Sequence, residues 1–470
     1  MNNRGKQLIW RGLAALTAAM LVFSLAAVPL VNKFRTDIDK FLGTSSTVLV
    51  SDESDKALNL YTWKTDYTST RELVLAIAAL GEEISEEGCV LLKNNGALPL
   101  SQEETKQLSL LGFSAYYPVQ GGDMGSLLTP NTGTDADTVD FLQALTEKGF
   151  VYNEKLKNLY LTDNLYDEYP NEKNRIGSIK APFTSAVFSS KEPSQHIMAK
   201  TDPAWKESLK DFPVLLVTLA RSSGENRTYY PGEAGVDQTQ NLNQTDPLGL
   251  SDDERELIAA AETAKTANGG KLIVLLNNAN VMEIEELKQD VEIDAILQIG
   301  LPGGYGFYGV ADILSGTVSP SGKLTDTYAV KNALAPSAIN YGVFDYTNAE
   351  PKNCINSVQV EAESIYTGYR YYETRYMDCV MQNGSARSSA GSIDGNEWDY
   401  AKEVSYPFGY GLSYTGFEKT LDSLTVDINT KTITASVTVK NTGNAAGKEA
   451  VQLYVSTPYT VYDRDHGIEK

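Results

Sequence analysis

The chain reads as an α/β protein: a mostly parallel sheet sandwiched by helices, preceded by a transmembrane helix and followed by a partial antiparallel β-sandwich. Three observations predict this. Residues 214–220 (VLLVTLA), 271–276 (KLIVLL) and 295–299 (AILQI) are apolar runs, the pattern of strands covered on both faces, as in a parallel sheet with helices outside. Between the first two lies SDDERELIAAAETAKT, in which Ser251 and Glu254 make a capping box and acidic residues crowd the first turn, where the helix dipole favours them. Strand, helix, strand in that order is a βαβ unit. Residues 437–459 (VTVKNTGNAAGKEAVQLYVSTPY) alternate apolar and polar around a turn rich in Asn and Gly, which predicts a hairpin between strands near 437–440 and 449–456.

The remaining elements follow in chain order. Residues 12–31 carry no charge and reach the ~20 residues a helix needs to cross a bilayer. Arg4, Lys6 and Arg11 precede them, which favours a cytoplasmic N-terminus (1–11), a single-pass cell-membrane anchor (12–31) and an extracytoplasmic body. A cleaved signal peptide with a small-residue site near Ala27 is the competing reading; the length of the run favours the uncleaved anchor. Residues 32–70 lack a clear period and read as a stalk. From Glu72 the pattern is helical, with Leu73, Leu75, Ala76, Ala79, Leu80 and Ile84 on one broad face. CVLLKNNGALPL then reads as a short strand and turn, LSLLGF (108–113) as a buried strand and residues 137–148 as a short amphipathic helix. Residues 152–203 form a Tyr-rich, weakly periodic insertion, and 383–400 a Ser- and Gly-rich loop.

Sixty-one acidic against 40 basic side chains give a formal charge of −21; such a surface repels phosphate backbones, so no nucleic-acid partner is expected. Two histidines and three cysteines, far apart in sequence, give no metal-ligand spacing and no disulfide framework. The expected mechanism uses neither metal nor cofactor.

Four motifs, in order, resemble glycoside hydrolase family 3. ISEEGCVLLKNNGALPL is similar to the family's entry into its second, α/β-sandwich domain. LPGGYGFYGVADILSGTVSPSGKLTDTY (301–328) resembles its Gly-rich turn, helix and exit, and SIYTGYRYYETRY (364–376) its IYVGYRYYDT segment. SYPFGYGLSYTGF (405–417) resembles the junction where that domain hands over to a fibronectin-III-like domain. The resemblance implies an α/β-sandwich domain over 71–416 and an incomplete fibronectin-III-like domain over 417–470. It also implies a retaining β-glycosidase, hydrolysing O-glycosidic bonds in β-linked oligosaccharides or glycosides, β-glucosides in particular.

The sharpest chemical candidate is Glu225, in ARSSGENRTYYPGE just after the strand VLLVTLA. In an open α/β sheet, ligands sit in the loops at the carboxyl ends of strands. A carboxylate there protonates a glycosidic oxygen while Tyr229 and Tyr230 offer aromatic faces to a sugar. The resemblance implies that Glu225 is the general acid/base, since Ser223-Gly224-Glu225 matches the family's SGEG-type turn. Asn226-Arg227 departs from that pattern, and a guanidinium beside the carboxylate lowers its pKa, the wrong direction for an acid, unless it points away. Gly121 to Ser126 (GGDMGS) resembles the family's loop that reaches toward the sugar, which makes Asp123 and Ser126 substrate-binding candidates along with Tyr229. The turn at Gly303, Gly304 and Gly306 reads as close packing of a helix on the sheet. Glu233 reads as a bystander carboxylate, and Tyr366, Tyr369, Tyr371 and Tyr372 as a packing stripe.

A retaining glycosidase needs a second carboxylate, about 5–5.5 Å from the first, as nucleophile. The family carries it as an Asp in an SDW-type motif on a (β/α)8 barrel, and neither the motif nor eight strand–helix repeats occur in this sequence. The expectation is a permuted order, with the barrel downstream, a chain that reads as truncated or split after HGIEK, and no activity in residues 1–470 alone. The rival reading is a membrane-anchored carbohydrate-binding or scaffolding module without catalysis.

Overall fold

The computed structural model describes residues 10–21, 23, 28, 66–101, 103–121, 138–162, 192–221, 246–340, 361–455 and 460–466. The chain divides into two compact units, 1–68 and 69–470.

In the first unit, the expected transmembrane anchor over 12–31 is not borne out. Among the described residues no helix is long and apolar enough to cross a membrane. Crossing a bilayer core of ~30 Å takes about 20 apolar residues in one helix, and no described helix supplies them. The single-pass cell-membrane location, which rested on this helix, falls with it.

The second unit is built on one six-stranded sheet. Its strands are β1 (Val90–Asn94), β2 (Gln107–Leu111), β3 (Val151–Tyr152), β4 (Val214–Ala220), β5 (Lys271–Asn277) and β6 (Ala295–Gln298), in the order β1-β6-β5-β4-β2-β3. The pairs from β6 through to β3 are parallel, and β1 closes one edge antiparallel to β6. Every residue of β4 is buried, as are the last six of β5, which is why both strands read as unbroken apolar runs.

Two sets of helices pack against this sheet. Phe307–Ser315 packs with both Thr70–Gly88 and Phe141–Glu147, and Asp252–Asn268 packs with Gln195–Thr201 and Trp205–Ser208. Asp252–Asn268 starts with the predicted capping box, in which Ser251 accepts from the Glu254 N–H and the Glu254 side chain accepts from the Ser251 N–H; it stops at Gly269 in the left-handed region.

Of the Gly-rich turn, Gly306 packs closely, on a helix instead of the sheet, while a Cβ on Gly303 would meet open space. A Cβ on Gly309 would lie 2.6 Å from the Glu82 carbonyl oxygen, and one on Gly306 2.9 Å from the Ser85 Cβ. The absence of side chains there lets Phe307–Ser315 seat directly on the backbone of Thr70–Gly88.

The Gly- and Tyr-rich string at 405–417 is stapled across the β1 edge. The Leu412 N–H donates to the Leu91 carbonyl at 2.8 Å, the Tyr410 hydroxyl to Leu92 O at 3.2 Å and the Tyr414 hydroxyl to Ile313 O at 2.8 Å. Of the tyrosine stripe, Tyr372 is buried, and the Tyr369 ring stacks on Phe408 at 4.2 Å between centroids.

Beyond it, β7 (Phe417–Asp427) and β8 (Thr432–Asn441) form a two-stranded antiparallel ladder. The hairpin therefore closes around 428–431, not around 441–447, and residues 449–455 join no described strand. Leu421, Leu424, Val426 and Ile433 are exposed. Two strands with both faces open hold little apolar surface out of water. Hydrogen exchange at Leu421–Val426 is accordingly expected to be far faster than at Val214–Leu219; equal protection in a monomer would contradict this.

Candidate functional site

The strand order fixes where a ligand crevice belongs. The chain passes from β2 outward to β3, then returns to β4 and proceeds the other way to β5 and β6. The direction reverses between β2 and β4, which are neighbours, and the carboxyl ends flanking such a reversal are where open α/β sheets bind ligands. Asp123 and Ser126 follow β2 in sequence, and Glu225 and Tyr229 follow β4. All four lie outside the described residues, as does Glu233, so the structure reports only on the ground from which their segments rise.

That ground is tightly built. The side chain of Arg221, the residue after β4, is wholly buried, and its guanidinium makes five hydrogen bonds. Nη1 and Nη2 grip the Glu254 carboxylate at 2.7 and 2.8 Å, Nε donates to Pro247 O at 2.7 Å, Nη2 to Gly249 O at 2.5 Å and Nη1 to Ala220 O at 2.8 Å. Residues 222–245 lie between Ala220 and Pro247, so one guanidinium fastens the chain on both sides of the Glu225 segment. Its partner Glu254 also caps the following helix, accepting from the Ser251 N–H at 2.9 Å.

The root of the Asp123 segment is held similarly. Asn277, fully buried at the end of β5, accepts from the Val119 N–H at 2.7 Å and donates to Val119 O at 2.9 Å and Gly300 O at 2.8 Å. Gly303 N–H donates to Gln120 O at 2.7 Å, and Val139 N–H, where the chain returns, to Gly304 O at 2.8 Å. Both stems of residues 122–137 thus stand on the Gly-rich turn.

Between β2 and β4 the backbones meet at Gly112, whose φ is +97° and where a Cβ would sit 2.2 Å from the Thr218 carbonyl oxygen; only glycine fits. Beside it lies a buried acid. Glu192 accepts from the Phe113 N–H and from the Tyr160 hydroxyl, each at 2.7 Å, and Tyr160 in turn accepts from the Gly112 N–H at 3.1 Å. Burial pushes the Glu192 carboxyl up to about 8, outweighing the two hydrogen bonds that favour its charged form, and the negative charges of Glu254 and Asp253 add to the rise.

A folded-state pKa above the unfolded one stabilises the fold at pH below the ordinary carboxylate range. That stabilisation is lost as pH rises toward and through about 8. Glu262 acts the same way: burial, a shared hydrogen bond with Asp290 and the charges of Asp290 and Glu292 raise it to about 7. Thermal melts are therefore expected to show lower stability at pH 9 than at pH 5. Glu192→Gln should flatten the slope; a wild-type slope unchanged in that variant would contradict the assignment.

Sequence reading missed Arg221, Asn277 and Glu192, and took Glu254 only as a helix cap. Arg221 stands inside the ARSSGE string and Asn277 ends an apolar run, so position signalled both; Glu192, in the weakly periodic insertion, had no signal.

Residues 89–414 match the glycosyl hydrolase family 3 C-terminal domain. The chain is 29% identical over 379 residues to a β-glucosidase of Ruminococcus albus, covering 80% of this chain and 32% of that protein. It is 28% identical over 403 residues to β-glucosidase A of Butyrivibrio fibrisolvens, covering 80% and 41%. Its fold is similar to that of β-glucosidase 3B from Thermotoga neapolitana, solved in complex with glucose, with a TM-score of 0.53 at 27% identity, covering 79% of this chain and 42% of that one. The chain thus spans about a third to two fifths of the length of the curated relatives it matches. The family match across most of the α/β body, with the motifs in the expected order, establishes that this chain belongs to glycosyl hydrolase family 3 through that family's C-terminal domain.

Proposed function

We propose that the chain is the acid/base-bearing part of a retaining β-glycosidase that hydrolyses O-glycosidic bonds of β-glucosides. In this reading 71–416 form the α/β domain and 417–470 part of a fibronectin-III-like domain. Glu225 donates a proton to the leaving oxygen and later takes one from water, while Asp123, Ser126 and Tyr229 line the sugar. The nucleophile comes from a (β/α)8 barrel outside residues 1–470, and the chain uses no cofactor.

The observation that carries the reading is topological: the segments with all four residues follow the two strands that flank the reversal in strand order. The names of the relatives, β-glucosidases, supply the substrate class.

Because a glycosyl–enzyme intermediate cannot form without a nucleophile, an acid alone gives little catalysis. Purified 1–470 is expected to show no hydrolysis of aryl β-glucosides above background in a chromogenic assay. Steady turnover by this chain alone, with net retention, would place a nucleophile within it and overturn the division of labour.

A further inference from the structure

We propose that Glu82, Glu86 and Asp312 form a binding site for a hard divalent cation such as calcium between helices Thr70–Gly88 and Phe307–Ser315. One carboxylate oxygen from each residue lies within 4.8 Å of the other two. Glu82 and Glu86 are one turn apart on one helix and so share a face. Asp312 is brought opposite them by the close seating of its helix at Gly309, whose missing Cβ would otherwise meet Glu82 O at 2.6 Å and Glu86 N at 2.9 Å.

A second observation points to a ligand. The side chain of Asp312 is only 5% exposed, and its Oδ1 atom has no hydrogen-bond partner. A buried charged acceptor without a donor is costly to maintain. Among the described residues an ammonium does reach the cluster: Lys148 Nζ lies 2.5 Å from Asp312 Oδ2 and 3.2 Å from Glu82 Oε1. It brings one positive charge to three carboxylates and leaves Asp312 Oδ1 unmet.

The ligand set selects the class of ion. Carboxylate oxygens are hard ligands suited to calcium or magnesium, and the three lie close enough together to turn toward one ion. Glu82 and Glu86 are half-buried, so solvent reaches the site and water completes the coordination. The bound ion would displace the Lys148 ammonium, which already lies 5.6 Å from the centroid of the Tyr308 ring. It would also pin helix Thr70–Gly88 to the layer.

The nearby tyrosine makes the site readable by terbium luminescence on the full 470-residue chain, with calcium and magnesium as competitors. Saturable, tyrosine-sensitised emission is expected, displaced by calcium or magnesium. Glu86→Gln, at a half-exposed position tolerant of change, should weaken calcium binding at least about tenfold, and Lys148→Met should tighten it by removing the competing charge. Calcium should raise the melting temperature of the wild type and not of Glu86→Gln. Equal terbium emission and equal calcium stabilisation in wild type and Glu86→Gln would mean diffuse binding to a −21 surface and would overturn the proposal. So would the absence of saturable binding at millimolar calcium.

Discussion

Arg221→Met is expected to lower the unfolding free energy of the α/β body by about 3–5 kcal/mol, the range for breaking a buried ion pair from one side. Methionine matches much of the stem but carries no donor. The Glu254 carboxylate, 2% exposed, would lose both guanidinium hydrogen bonds and retain the one from the Ser251 N–H. The carbonyls of Ala220, Pro247 and Gly249 would each lose a donor. Much of the cost is the stranded carboxylate, so a double variant, Arg221→Met with Glu254→Leu, should recover part of the loss even though the helix cap is gone. Urea denaturation of the two variants measures both effects. A loss under about 1 kcal/mol for the single variant would mean that the pair contributes no more than a surface contact does.

The sheet was legible because burial on both faces leaves a plain signature. Val214–Ala220, Lys271–Asn277 and Ala295–Gln298 form where unbroken apolar runs predict them, and Ser251 and Glu254 cap their helix as the local pattern requires. Strand direction was not legible: nothing in VLLKN marks β1 as antiparallel, since that depends on its distant partner β6.

The hairpin was misjudged for a related reason. The Asn- and Gly-rich turn at 441–447 carries the stronger local signal, whereas the turn that forms, 428–431, holds no glycine. An irregularity between Ser436 and Val437 also breaks the alternation of the strand that does pair. The N-terminal apolar run misled because composition counts apolar residues, whereas crossing a bilayer requires a helix both long and apolar, and among the described residues there is none.

At the candidate site the sequence pointed to loops that lie outside the described residues, and the foundations of those loops were not legible in it. A buried arginine leaves no periodic trace, and Arg221 meets Glu254 across 33 residues of chain, beyond any local pattern. Glu192 is invisible for the same reason, since it becomes an unusual acid only when Tyr160 and the turn at Gly112 enclose it.

The largest kinetic effect is expected at Glu225. In an enzyme completed by its barrel, Glu225→Ala should slow hydrolysis of glucosides with poor leaving groups by about 10²–10⁴-fold, the usual worth of a positioned general acid. Activated aryl glucosides, whose leaving groups depart without a proton, should lose far less in the glycosylation step. The variant would then accumulate the glycosyl–enzyme intermediate, because deglycosylation still needs a base to activate water. A small anionic nucleophile needs no such base. The direct test is therefore the leaving-group dependence of the Glu225→Ala rate, with and without azide. The account predicts a steep dependence on leaving-group pKa, with azide restoring turnover of activated substrates and yielding the β-glycosyl azide. An equal loss across all leaving groups, with no azide product, would contradict it and move the acid/base role to another carboxylate such as Glu233.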